Sequence, residues 1–153
     1  MGITLTNGKE FRQALLAEAM RVDTLAVRAL SMLGEQVVAY ARSRSAGESW
    51  IDRTGNLRSS VGYIVLRDGE IVGASDFGQV LQGSEGSDTG RRFAEDIARN
   101  IHSNYALVVV AGMNYASYVE AIEGKDVLAG PELFARKRLP GMLRQLENQI
   151  MRK

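Results

Sequence analysis

The stretch VGYIVLRDGEIVGAS, residues 61–75, sets the fold class. Val61, Tyr63 and Val65 alternate with Gly62, Ile64 and Leu66, and β-branched residues dominate, which is a strand pattern of period two. Arg67-Asp68-Gly69-Glu70 interrupts the run. Asp-Gly is a favoured two-residue hairpin turn because both positions tolerate positive φ. Strands over about 61–67 and 70–75 follow, joined by that turn. Both strands are apolar on both faces, so each face needs cover: a helix on one and another subunit on the other.

Upstream, Lys9 to Ser43 contains no proline and a single interior glycine, Gly34. Leu15, Val22, Leu25, Ala29, Leu33, Val37 and Tyr40 recur at helical steps, with Glu10, Arg12, Glu18, Arg21, Arg28 and Glu35 on other faces. The spacing predicts one long amphipathic helix, or two in series with a break near Asp23 or Gly34, its start capped by Asn7 or Thr6. Ser43–Ser49 reads as a loop, and Thr54 as the cap of a helical turn that runs to Ser60.

Downstream, residues 78–90, GQVLQGSEGSDTG, read as a flexible glycine-rich loop. Phe93, Ile97 and Ile101 then step by four, predicting a helix of about three turns capped near Asp88 or Thr89. Tyr105–Gly112 is a strand apolar enough to be central in a sheet, and Asn114–Ile122 reads equally as strand end or helical turn. A last helix starts at Pro131, is kinked or restarted at Pro140, and carries the stripe Leu139, Leu143, Leu146 and Ile150. This order predicts an α+β domain: a long N-terminal helix and further helices packed on one face of a small, mostly antiparallel β-sheet. Residues 1–153 read as one domain with a flexible insertion at about 78–104.

Composition narrows the chemistry. The 153 residues are 45% hydrophobic, enough for one core, and 19 Lys/Arg against 18 Asp/Glu leave no global field to attract nucleic acid or membrane. The absence of cysteine excludes disulfides, thiolate metal sites and thiol nucleophiles, and the lone His102 excludes any site needing two imidazoles. The N-terminus turns polar after Leu5, and Met-Gly with Thr6 fits a myristoylation pattern without a second membrane signal. The longest apolar run, Ala106–Gly112, is far short of the roughly 20 residues that span a bilayer. A soluble protein made in the cytoplasm, with no membrane partner, is expected.

No catalytic constellation stands out. His102 follows the predicted second helix, where backbone carbonyls or water satisfy it. The glycines of 78–90 lack the Gly-Lys-Ser/Thr ending of a phosphate loop, and Gly124-Lys125-Asp126 has the wrong third residue. Glu120 and Glu123 lie three apart with no histidine beside them, so neither a metal nor another cofactor is expected. Trp50 reads as a cover for one end of the core or as an interface anchor. The C-terminal segment carries Arg136, Lys137, Arg138, Arg144, Arg152 and Lys153 against Glu147, a face able to contact phosphates. It has no aromatic after Phe134 on which bases would stack.

Two segments carry a resemblance. Residues 52–66, DRTGNLRSSVGYIVL, place Thr-Gly-Asn-Leu-Arg-Ser-Ser directly before a strand, and residues 108–120, VVVAGMNYASYVE, end a strand in Tyr-Ala-x-Tyr-Val-Glu. With Pro131-Glu132-Leu133-Phe134 and Leu139-Pro140 further on, the order resembles the tail-completion, or head–tail joining, proteins of the neck and tail of long-tailed bacteriophages and prophages. That resemblance implies a non-enzymatic structural protein that forms a ring, expected to be hexameric, at the head–tail junction or tail end of a virion. Its partners would be copies of itself and neighbouring neck or tail-tube proteins, with DNA only as passing cargo. It also places Thr54, Leu57, Arg58, Tyr115, Tyr118 and Glu120 near inter-subunit contacts. The second reading is a small nucleic-acid-binding module using Arg136, Lys137, Arg138 and Arg144. The third is an enzyme built around His102.

Overall fold

The computed structural model describes residues 7–44, 52–114, 116 and 126–152. The elements are α1 (Gly8–Ser43), α2 (Asn56–Ser59), β1 (Val61–Arg67), β2 (Glu70–Ala74), α3 (Ser84–Ala98), β3 (Tyr105–Ala111) and α4 (Ala129–Met151). The three strands form one antiparallel sheet in the order β2-β1-β3, so the class is α+β.

The hairpin forms as its sequence dictates. Asp68 and Gly69 have φ of 51° and 84°, the left-handed pair that matches strand twist in a two-residue turn. Leu66 faces Ile71 while Val65 faces Gly73, so Val72 is a bulged residue that bends β2.

β1 is the central strand, with all but its last residue buried. Its side chains divide between two cores. Val61, Tyr63 and Val65 join Val38 and Ala41 of α1, with Val27 and Leu30 packed against them. Ile64 and Leu66 join Phe77 with Ala94 and Ala98 of α3. Burying each of the Val, Leu and Ile side chains contributes on the order of 2 kcal/mol. The helices therefore cover both faces of the sheet instead of one, and the second cover expected from another subunit is supplied by α3.

Several expectations change for physical reasons. α1 runs unbroken through Asp23 and Gly34 for 36 residues, because Gly34 serves close packing and not a bend. At its start, Asn7 turns its side-chain amide to Glu10 (3.0 Å) instead of a backbone amide, and Thr6 lies outside the described residues. β3 is an edge strand; it is apolar because helices cover its two faces, not because it has two neighbours.

α3 starts at Ser84, not near Asp88 or Thr89. The glycines read as loop-formers continue a face of small residues, with Gly86, Gly90, Ala94 and Ala98 buried four apart. A β-carbon on Gly90 would lie 2.4 Å from the Ser60 carbonyl oxygen, and one on Gly86 2.0 Å from that of Asn56. Ser84–Ala98 thus packs against α2 and β1.

α4 begins two residues before Pro131, whose missing N–H costs nothing in the first turn. It continues through Pro140 and lies antiparallel to α1, where Phe134 stacks on Tyr40 at 4.7 Å. Leu146 and Ile150 of its stripe are half-buried against α1, whereas Leu139 and Leu143 face solvent.

Candidate functional site

The Thr54–Ser60 segment, expected near subunit contacts, turns most of its side chains inward. Asp52 opens it: its carboxylate accepts from the Gly55 amide (2.9 Å) and the Arg58 amide (2.8 Å). Thr54 Oγ1 accepts from the Asn56 amide (3.3 Å), but Thr54 is not the cap expected from the sequence: the N-cap is Gly55, and the Asp52 carboxylate satisfies the amides of the turn. Gly55 has φ 82°, and a β-carbon there would fall 1.9 Å from the Val80 carbonyl oxygen. Leu57 is 1% exposed and sits in the core on the α1 side of the sheet, with no surface to offer a neighbour. Arg58 donates to the Arg44 carbonyl (2.9 Å), while Ser59 and Ser60 bond to Val80, Leu57 and Met113. Thr54 alone of the three described interface candidates is exposed. Tyr115, Tyr118 and Glu120 lie outside the described residues, as do Trp50 and Glu123.

Of the basic candidates, Arg136 pairs with Glu132 on the preceding turn (2.8 Å). Arg138 lies over the Phe134 ring (5.1 Å), and Lys137, Arg138 and Arg144 line one wall of a cleft between α4 and α1. His102 is exposed beside the hairpin turn at Gly69. Among the described residues there is no cluster of three His, Cys, Asp or Glu able to hold a metal, and no helix long and apolar enough to cross a membrane.

The surface with the greatest unmet demand is elsewhere. A 36-residue helix is about 54 Å long, whereas a small domain is about 30 Å across. The excess projects: residues 8–20 are exposed throughout, and partial burial starts at Arg21. That guanidinium marks the root of the arm, donating to the Gln149 and Ile150 carbonyls of α4 (3.3 and 2.7 Å) while paired to Glu18 (2.6 Å).

The arm carries Phe11, Leu15, Leu16 and Met20 at 57, 59, 58 and 70% exposure. Phe11 and Leu15 share one side of the helix, and Leu16 and Met20 share another. At 3.6 residues per turn the two stripes are about 140° apart. Leu15, read from the sequence as part of the buried stripe, belongs to this outward set. The length of the helix was the available signal; its periodicity was not.

A second open surface is the free edge of β3. Its sequence, YALVVVA, has neither charge nor proline, and among the described residues no backbone group of 105–111 bonds beyond β1. Edge strands are ordinarily blunted by charge, proline or a bulge. β2, at the opposite edge, has both Glu70 and the Val72 bulge.

Two polar clusters tie the sheet to α1. Tyr105 Oη donates to Asp23 (2.5 Å), which also pairs with Arg67. The Tyr105 hydrogen bond is the main cause holding the Asp23 carboxyl below its ordinary range, with Arg67 adding to it. Tyr63 Oη donates to Glu35 (3.0 Å); burial first, and the carboxylate second, push its phenol up to about 12.

Comparison of the chain with family models, curated proteins and solved structures finds no match.

Proposed function

We propose that this chain is a structural component of a bacteriophage or prophage particle. In this reading it assembles with copies of itself into a ring at the head–tail junction or tail end. The observation that carries it is the α1 arm. Four large apolar side chains stand in water on two sides of one projecting helix, and burial by neighbours recovers on the order of 1 kcal/mol or more for each. A subunit in a closed ring has two neighbours, one per stripe, through heterologous contacts. The order of the Thr-Gly-x-Leu, hairpin and Tyr-Ala-x-Tyr-Val-Glu segments supports the phage assignment by resemblance. The unblunted β3 edge adds a second place for a neighbour to attach.

The test is light scattering and negative-stain microscopy of the full chain, beside a Leu15→Glu/Met20→Glu variant. The wild type is expected above monomer mass, and the variant as a monomer with an unchanged melting temperature. A wild type that stays monomeric at high concentration, indistinguishable from the variant, removes the assembly reading. Genes for a portal or tail tube beside this one are expected on the phage assignment.

A further inference from the structure

Between α1 and α4 lies a groove of about 650 Å³ whose lining joins two chemistries. Its apolar part, here the floor, comprises Leu25, Met32 and Leu33 of α1 with Leu146 of α4; Gln36, Gln145 and Gln149 lie beside it, and Met32 remains 54% exposed. Its rims hold four cations, Arg28 from α1 and Lys137, Arg138 and Arg144 from α4, and no carboxylate lines it. None of the four forms an ion pair among the described residues. In a chain of net charge +1 this is a local concentration of unmatched charge.

α4 is also irregular at the groove. Pro140 and Gly141 stand at its wall, and a β-carbon on Gly141 would meet nothing within 4 Å. Proline has no N–H to offer the carbonyl four residues back, so α4 is locally freed from regular helix bonding at that point. The lining runs from Leu25 to Gln36 along α1, a span of about 16 Å, or three helical turns.

We infer that this groove receives an amphipathic acidic helix of about three turns from a partner protein. Such a helix lays its apolar face on the floor and sets Asp or Glu against the rim cations. Charge complementarity selects the occupant. The arm of a second copy carries Lys9 and Arg12 beside Glu10 and Glu18, so it brings no net negative charge to the cations. A nucleic-acid backbone would satisfy the rims but leave the floor without apolar cover, and no aromatic lines the groove for base stacking. The inference stands apart from the assembly reading, because it concerns a different surface and the isolated chain suffices to test it.

The experiment is fluorescence anisotropy with a labelled amphipathic peptide bearing leucines at i, i+3, i+4 and i+7 and glutamates on its flanks. A peptide with those glutamates changed to lysine and a DNA duplex serve as separate probes. The acidic peptide is expected to bind saturably, with affinity falling about tenfold for Met32→Glu and for Arg144→Glu. Rising salt should weaken it further. Both positions are exposed, and far-ultraviolet circular dichroism with melting curves establishes that each variant is folded. The inference is overturned if the acidic peptide does not bind, or if its binding ignores both substitutions. Equal binding of the lysine peptide, or tighter binding of DNA with the same dependence on Arg144, overturns it also.

Discussion

Gly34 of α1 sits against the face of Tyr63 on β1: a β-carbon built on Gly34 would lie 2.6 Å from the ring's Cγ, well inside contact distance. The glycine lets the helix axis approach the sheet closely enough for Tyr63 to reach Glu35 on the same helix. It also sets two general effects against each other.

Replacing a mid-helix glycine with alanine ordinarily gains about 0.8–1.0 kcal/mol of propensity. Forcing a methyl group into a filled core costs about 1–3 kcal/mol. Tyr63 is 3% exposed and held at its hydroxyl, so it has little room to give. Gly34→Ala is expected to lower stability by about 0–2 kcal/mol in urea unfolding, toward the upper end because the ring cannot move away. A gain would mean that α1 does not seat on β1 at this distance.

Gly90 gives a sharper contrast. In a flexible loop, Gly→Ala stabilises by about 0.4–1 kcal/mol because it restricts the unfolded chain. In α3 the added methyl group meets the Ser60 carbonyl oxygen at 2.4 Å, a backbone atom that no rotamer change can move. The expected loss for Gly90→Ala is about 2–3 kcal/mol, read from chemical denaturation. A neutral or stabilised variant would detach α3 from α2 and β1.

Alkaline pH tests the Tyr63–Glu35 pair. The folded-state phenol is raised to about 12 from an ordinary 10, so the native state holds its proton more firmly than the unfolded chain does. The stability this contributes is complete below pH 10 and is lost as pH rises toward 12. Tyr63→Phe should flatten that part of the profile, apart from a uniform offset of about 1 kcal/mol for the missing hydrogen bond. Identical slopes in wild type and variant over this window would show that Tyr63 titrates at its ordinary value.

Much of the fold is legible residue by residue. The alternation of 61–66, the Asp68-Gly69 turn and the helical steps of α1 are local properties, each strong enough to fix its element. The helical turn before β1 is also a local reading, although Gly55 and Asp52, not Thr54, form its start. What misled was residue type taken without period. The glycines of 78–90 suggested a loop, although Gly86, Gly90, Ala94 and Ala98 already show a four-residue step. In β3, an unbroken apolar run was equated with two strand neighbours, when two covered faces produce the same composition.

The candidate surfaces were less legible, because exposure is not a property of a sequence pattern. Leu15 and Leu33 obey the same helical spacing, yet one is 59% exposed and the other 5%. The difference is that α1 outruns the body it packs on, and that depends on where the sheet and α4 stop.

The amino-acid sequence by itself determined α1, the three strands, the hairpin and the lack of thiol or paired-imidazole chemistry, because torsional preference, periodicity and composition act over a few neighbouring residues. Only the tertiary structure decided that α3 and not a second subunit covers the far face of the sheet, that β3 lies at an edge, and that the first third of α1 stands free. Those outcomes depend on distances between residues far apart in the chain, and on which surfaces remain in water once the interior is full.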